Sequence, residues 1–355
     1  MSGKKKTLLT SGTVRKPETN LSTPDVCNNA KLSVAPMMDW TDRHCRYFHR
    51  LMSGQALLYT EMVTSPALVR GNAVHLLAYN PEEHPVALQL GGSDPVELAK
   101  AAKLGDAAGY DEINLNVGCP SDRVQSGTFG AVLMKNPDLV SECVKAMQDA
   151  VSAEVTVKCR IGVDEQDPDV ILPEFLEKIS AAGVTRVTIH ARKAWLKGLS
   201  PKENRDIPPL DYPLVFKMKE AFPHLHMSLN GGVQTQDDIA DLLATGMDGV
   251  MVGRAAYHAP ASILVGADSR FFNTPDALDA QGAVRAMLPY MEDHLSKGGR
   301  LNQITRHMLG VFTGKPGARG WRRALSEGVS VKGAGPELVE RALDEFVAAQ
   351  TPPAS

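Results

Sequence analysis

The sequence predicts an α/β chain, a (β/α)8 TIM barrel with a small helical domain at its C-terminal end. Three observations predict it. From Leu32 onward, short apolar and often β-branched runs are separated by segments with helical apolar spacing. Polar or reactive residues gather near the C-terminal end of nearly every run, which is where a TIM barrel builds its active site. The competing fold, an open doubly wound sheet, usually carries a G-x-G-x-x-G turn after its first strand, and none stands there.

The eight candidate strands are Leu32 to Met37, Leu57 to Met62, Val86 to Leu90, Glu112 to Asn116, Val155 to Cys159, Arg186 to His190, His226 to Leu229 and Gly249 to Val252. Helix start signals lie between several of them, such as Asp94-Pro95 before Val96 to Ala108 and Asn136-Pro137 before Asp138 to Ala150. Residues 1–28 are rich in Ser, Thr, Lys, Asn and Pro and read as a disordered tail, because they have little apolar surface to offset ordering entropy. The barrel is expected over 29–264. Past about Ala259 the strand pattern ends, and Ala283, Met287, Met291 and Leu295 recur at helical spacing, so 265–348 is expected to be the helical domain.

At 355 residues the chain can bury a substantial core and exceeds a typical single domain. A formal net charge of -3 gives no general attraction for nucleic acid, so any RNA contact must come from local basic patches. The five cysteines, Cys27, Cys45, Cys119, Cys143 and Cys159, form no C-x-x-C pair. That argues against a disulfide framework and a zinc site and fits a reducing cytoplasm. Lys4-Lys5-Lys6 precede no apolar core of signal-peptide length, and no later run is long enough to span a membrane. A soluble cytoplasmic monomer, with no metal and no membrane partner, is expected.

Asn114-Leu115-Asn116-Val117-Gly118-Cys119-Pro120 ends a strand and enters a loop containing Gly127, which places Cys119 at the active rim. A lone cysteine is often a small buried hydrophobe. At a rim, a thiol with the usual pKa of about 8.5 can instead serve as a proton donor or a latent nucleophile. Lys158 alternates against Val157 and Cys159, and a lysine at the top of a barrel can hold a developing anion or a phosphate. His190 and Arg192 end the next strand and extend the cationic run, although a structural role for His190 is the alternative.

Asn230-Gly231-Gly232 follows the seventh strand and Gly253-Arg254 the eighth. Glycines let backbone N–H groups approach a phosphate, and these two loops are the usual phosphate site of the fold. Pro36, Met37 and Met38 offer apolar surface to a flat cofactor or simply fill the core. Gln89 carries a neutral amide that can donate and accept at the edge of a flavin or uracil ring.

Ala35-Pro36-Met37, Asn114 to Pro120, Val157-Lys158-Cys159-Arg160, His190-Ala191-Arg192 and Asn230-Gly231-Gly232 resemble the tRNA-dihydrouridine synthases. The likeness runs from about residue 31 to 325. His190 to Trp195, Leu199 to Arg205 and Thr305 to Gly310 are similar to the A subfamily in particular. The resemblance implies FMN as bound cofactor and NADPH as reductant, with hydride passing from reduced flavin to C6 of a D-loop uracil in tRNA and Cys119 protonating C5. It implies that Pro36, Met37, Met38, Gln89, Lys158, His190, Asn230, Gly231, Gly232, Gly253 and Arg254 hold FMN and that Asn116 touches the target nucleotide. Positions 20 and 20a rest on the subfamily likeness. The target base would have to leave its stack.

Arg186, Arg192, Lys193, Lys197 and Lys202 stand without an intervening acidic residue, and Arg205 follows. From Arg300 to Arg323 the charges are again all basic: Arg300, Arg306, Lys315, Arg319, Arg322 and Arg323. On an acidic chain this segregation fits either solvated surfaces balanced elsewhere by Asp and Glu or a polyanion surface, and the family resemblance implies the second, a surface for the tRNA backbone with Lys202, Arg205 and Arg306 as the leading contacts. Trp195 and Trp321 could stack on bases or anchor their segments. Two rivals remain, a flavin barrel acting on a free pyrimidine, like dihydroorotate dehydrogenase, and a non-catalytic RNA-binding scaffold. The basic segments argue against the first, and the Cys119, Lys158 and His190 set against the second.

Overall fold

The structure is a computed structural model and describes residues 26, 28–120, 129–330 and 333–350. Its strands are β1 (Leu32–Val34), β2 (Leu57–Tyr59), β3 (Val63–Thr64), β4 (Val86–Gly91), β5 (Glu112–Val117), β6 (Glu154–Arg160), β7 (Arg186–His190), β8 (His226–Asn230) and β9 (Gly249–Val252). All pair in parallel. The neighbour order is β2-β1-β9-β8-β7-β6-β5-β4, and β2 pairs with β4 through Leu58 and Val86, which closes an eight-stranded barrel. The two-residue β3 only extends the edge of β4, pairing Val63 with Leu90.

β1 and β2 are shorter than the sequence predicts. Ala35 N still donates to Val252 O at 2.8 Å, and then Pro36, which has no N–H, ends the ladder. Thr60 N donates to Ala87 O at 2.9 Å, after which the Thr60 hydroxyl accepts from Gln89 N and the chain turns away. The predicted helix starts at Asp94-Pro95 and Asn136-Pro137 open the helices Pro95–Ala108 and Pro137–Gln148, each capped by that Asp or Asn side chain accepting a backbone N–H. Val26, assigned to the tail on composition, is buried beside Ala30 and Leu57 at the barrel floor. The rest of the predicted tail through 25, together with Cys27 and Gly127, lies outside the described residues.

Alternation divides each strand between two environments. Outward-facing Leu88, Leu115, Val157, Ile189, Leu229 and Val250 join the apolar layer under the helices. Inward-facing Tyr59, Gln89, Glu112, Asn114, Thr156 and Arg186 fill the lumen and are buried. Here the charge count misled, because Arg186 is no part of a surface run. Its guanidinium is sealed between Glu112 and Glu154, at 2.6 and 2.8 Å.

Beyond the barrel, the helix Pro336–Ala348 packs on both Ala280–Ser296 and Ala318–Glu327, and Ala280–Ser296 also rests on the barrel helix Arg43–Met52. Phe312 stacks on Phe346 with ring centroids 3.7 Å apart and meets Trp321 edge-on at 5.0 Å. Trp321 is fully buried and its Nε1 donates to Met308 O at 2.9 Å, so it anchors its segment and is not available to stack on a base. No helix among the described residues is long and apolar enough to cross a membrane.

Candidate active site

Parallel register brings the predicted residues to one rim. Asn116 on β5 lies beside Lys158 on β6, Arg160 on β6 beside His190 on β7, and His190 beside Asn230 on β8. Lys158 Nζ donates to Asn230 Oδ1 at 3.0 Å, and Asn230 Nδ2 donates to Met251 O at 2.7 Å, which ties the lysine to the last two strands. Burial, then the neighbouring Arg160, brings Lys158 down from its ordinary value to about 8. The same causes, burial first and then Arg160 and Lys158, hold His190 well below the usual imidazole range, so it meets a ligand as a neutral donor and acceptor.

Cys119 sits half-buried just past β5. Its backbone N–H and that of Gly118 donate to Asn116 Oδ1 at 2.9 and 3.1 Å. From below, Arg160 Nε donates to Gly118 O at 2.9 Å, while its Nη1 donates to Lys193 O and Asn204 O, both at 2.9 Å. Arg160 therefore pins the thiol loop and the 193–204 segment to a single buried guanidinium. Neighbouring sequence positions gave no sign of that link.

The two glycine loops behave as their composition requires. Gly231 and Gly232 adopt φ of +110 and +80, and a Cβ on Gly231 would fall 2.5 Å from His190 Cδ2. Tyr212 Oη fixes the loop by donating to Gly231 O at 2.5 Å. Met37 approaches the Gly253 position, its Sδ 3.8 Å from where a Cβ would stand. Met38 is 54% exposed and faces a separate groove beside Glu61 and Leu76, so only Met37 of the pair lies against the glycine loops. Pro36 begins the turn that carries both. In that turn Asp39 takes φ +64, and its N–H is held by Glu61 Oε1 at 2.5 Å.

Arg254 reaches across the rim to Asp206 at 2.6 Å and to Arg205 O at 3.5 Å. Asn204 is buried and donates to Trp195 O and Leu199 O at 2.8 and 3.1 Å, folding the loop so that Lys202 and Arg205 stand exposed. Trp195 is partly buried under Lys193, whose Nζ lies 5.4 Å from the ring centroid. Farther along, Tyr257 stacks on Trp40 at 4.5 Å and meets His307 edge-on at 5.8 Å. The rim is thus continuous from Arg205 to Arg306, where Arg306 Nη2 contacts Asp42 at 2.5 Å while its side chain stays 46% exposed. Asp42 also caps the helix Arg43–Met52. Burial opposes its charge, but hydrogen bonds from His307, the Cys45 N–H and Arg306 keep its carboxyl well below the usual range. Sequence reasoning missed Arg160, Asp206, Glu61 and Asp42, all partners of residues it had found.

Fold and rim together define the class, a (β/α)8 barrel enzyme whose chemistry lies at the C-terminal ends of its strands. A model of the dihydrouridine synthase (Dus) family matches residues 33–347. The tRNA-dihydrouridine(20/20a) synthase of Salmonella typhi is 59% identical over 316 residues, 88% of this chain and 94% of that protein. The protein of the same name from Escherichia coli K12 is 59% identical over 321 residues, 90% and 92% of the two chains. Among solved structures, an old yellow enzyme homologue from Zymomonas mobilis shares the fold at a TM-score of 0.50 and 11% identity, covering 69% of this chain and 89% of that one. The chain belongs to the dihydrouridine synthase family and is an oxidoreductase, and membership implies a flavin cofactor.

Proposed function

We propose that this enzyme reduces the uracil C5–C6 bond of uridines 20 and 20a in the tRNA D-loop, with FMN bound and NADPH as reductant. One observation carries the reading. A half-buried cysteine has its backbone held at the rim beside a half-buried lysine and two glycine loops, in a chain 59% identical to tRNA-dihydrouridine(20/20a) synthases. When bound, the flavin supplies the hydride that arrives at C6.

The residues present fit such a group. Gly231, Gly232, Gly253 and Arg254 form a cradle for its phosphate, and added Cβ atoms at the first two would collide with His190 and Leu210. Met37 lines one edge beside Gly253, with Pro36 at the start of its turn, Gln89 and Asn230 offer amides, and His190 offers a neutral imidazole. Lys158 sets a positive charge against the anionic part of the ligand. Cys119 gives its proton to C5, and Asn116, which holds the Cys119 backbone, contacts the target nucleotide.

Lys202, Arg205 and Arg306 meet the tRNA backbone, joined by the exposed Arg300, Lys315, Arg319, Arg322 and Arg323 of a helical tRNA-binding domain over 265–348. A free pyrimidine would need none of these. The enzyme works as a cytoplasmic monomer. The test is to incubate tRNA lacking dihydrouridine with NADPH and the enzyme and to map the product. Dihydrouridine should form at 20 and 20a, while Cys119→Ala should keep its flavin and its reduction by NADPH yet form none. Product from the Ala variant would remove Cys119 from the proton step, and reduction of free uracil or orotate in place of tRNA would overturn the substrate assignment.

A further inference from the structure

A run of side-chain hydrogen bonds climbs the lumen from floor to rim. Arg186 Nη2 lies 2.6 Å from Glu112 Oε2, and Glu112 Oε1 accepts from Tyr59 Oη at 2.7 Å and from the Thr156 hydroxyl. Above it Asn114 Nδ2 donates to Thr156 Oγ1 at 2.7 Å, Gln89 Nε2 donates to Asn114 Oδ1 at 2.8 Å, and Asn116 Nδ2 donates to Gln89 Oε1 at 2.7 Å. The run ends where Asn116 Oδ1 accepts from the N–H groups of Gly118 and Cys119. Strand register supports it, since Gln89 pairs with Asn114 and Asn114 with Thr156.

The direction of this run is not free. A carboxylate facing a guanidinium can only accept, so the Thr156 hydroxyl donates downward and has only a lone pair to offer Asn114. Asn114 must then give its NH2 to Thr156 and its oxygen to Gln89, and the same choice passes upward to Gln89 and Asn116. Reversing any one amide would set like groups face to face at both of its contacts in a buried interior, where unmade hydrogen bonds are costly. At the rim, the Asn116 oxygen faces the thiol loop, one of its N–H bonds serves Gln89, and the other is left uncommitted within the run.

We propose that Glu112, Thr156 and Asn114 are positioning residues, which set from the barrel floor the sense in which Gln89 and Asn116 present their amides and thereby hold the Cys119 backbone. All three are buried in the lumen, and they reach the rim only through Gln89 and Asn116. Their consequence is that Asn116 meets the target nucleotide as an N–H donor, suited to a ring carbonyl oxygen. The proposal rests on the function given above only for the step it names.

The test compares Thr156→Val, which keeps the shape but neither donates nor accepts, with Thr156→Ser, which restores the hydroxyl. Thr156→Ala makes the same break with a smaller side chain should valine fold poorly. Amide hydrogen exchange at Gly118 and Cys119 reads the positioning directly. It should accelerate by about tenfold in Thr156→Val and return in Thr156→Ser. In the holoenzyme, reoxidation by tRNA should slow by about tenfold to a hundredfold in Thr156→Val and recover with serine, while flavin content and reduction by NADPH fall by a clearly smaller factor, through Gln89 alone. Unchanged exchange at Gly118 and Cys119, equal loss in both half-reactions, or equal loss in the Val and Ser variants would overturn the proposal. Failure of the unmodified enzyme to be reoxidised by tRNA would instead strike the substrate assignment, with the exchange result still deciding this one.

Discussion

The lumen and the outer rim use the same side chains under opposite conditions. Inside, Arg186 is clamped between two carboxylates, while burial lowers Lys158 to about 8 and Arg160 to about 10. Outside, Lys202 and Arg205 stand exposed on a loop shaped by Asn204. A buried cation acts through its fixed partners and loses function when one is removed. An exposed cation acts through long-range attraction, which salt screens. Under the proposed function, geometry depends on the lumen and capture of a polyanion on the rim.

Cutting the lumen should have the largest effect. Arg186→Met would leave Glu112 and Glu154 facing each other without a cation, and it should destabilise the barrel by about 3–5 kcal/mol in denaturant unfolding. A loss below about 1 kcal/mol would place that cluster with ordinary surface pairs and end the contrast.

Lys158 sharpens the comparison through pH. Its charge is present below about 8 and lost above, so retention of an anionic flavin should weaken as pH rises through that value. Lys158→Met should remove this pH step and lower flavin affinity by about tenfold, as expected for one lost charge-assisted hydrogen bond. The sign for folding is the reverse. Burial makes the folded state bind fewer protons than the unfolded chain between about 8 and 10.5, so the unfavourable contribution is complete below 8 and fades as pH rises through that window. Titrating flavin fluorescence against pH checks the binding arm, and a Lys158→Met profile that keeps the step would contradict it.

On the rim the effects should be smaller and of another kind. Lys202→Ala and Arg205→Ala should each weaken tRNA binding several-fold and reduce the salt slope by about one, with little change in unfolding free energy. An unchanged slope would take the residue out of the interface. Arg306→Ala, which breaks a half-exposed pair with Asp42, should cost less than about 1 kcal/mol of stability and shift tRNA affinity modestly. A large loss of stability there would make Arg306 chiefly a strut between barrel and helices.

Much of the barrel was legible because strand identity is written locally, in short β-branched runs with polar residues at their ends. The placement of Lys158, His190, Asn230 and the glycine pairs followed from that, because parallel register carries strand ends to one rim. What could not be read depends on contacts distant in sequence. The inside of a strand such as Glu112–Val117 is as polar as a surface, so alternation alone does not say that Glu112 and Asn114 face a sealed lumen. For the same reason Arg186 passed for a surface charge. Asp206 finds Arg254 across 48 residues and Asp42 finds Arg306 across 264, and neither separation leaves a trace in composition. Trp321 was ambiguous until Phe312 and Phe346 closed around it.

The most direct test of the central claim is the visible spectrum of the purified protein, followed in one cuvette by anaerobic NADPH and then by tRNA lacking dihydrouridine. Flavin bands should bleach with NADPH and return only when that tRNA is added. Reduced flavin that tRNA leaves untouched would contradict the claim that this rim acts on a nucleotide held within tRNA.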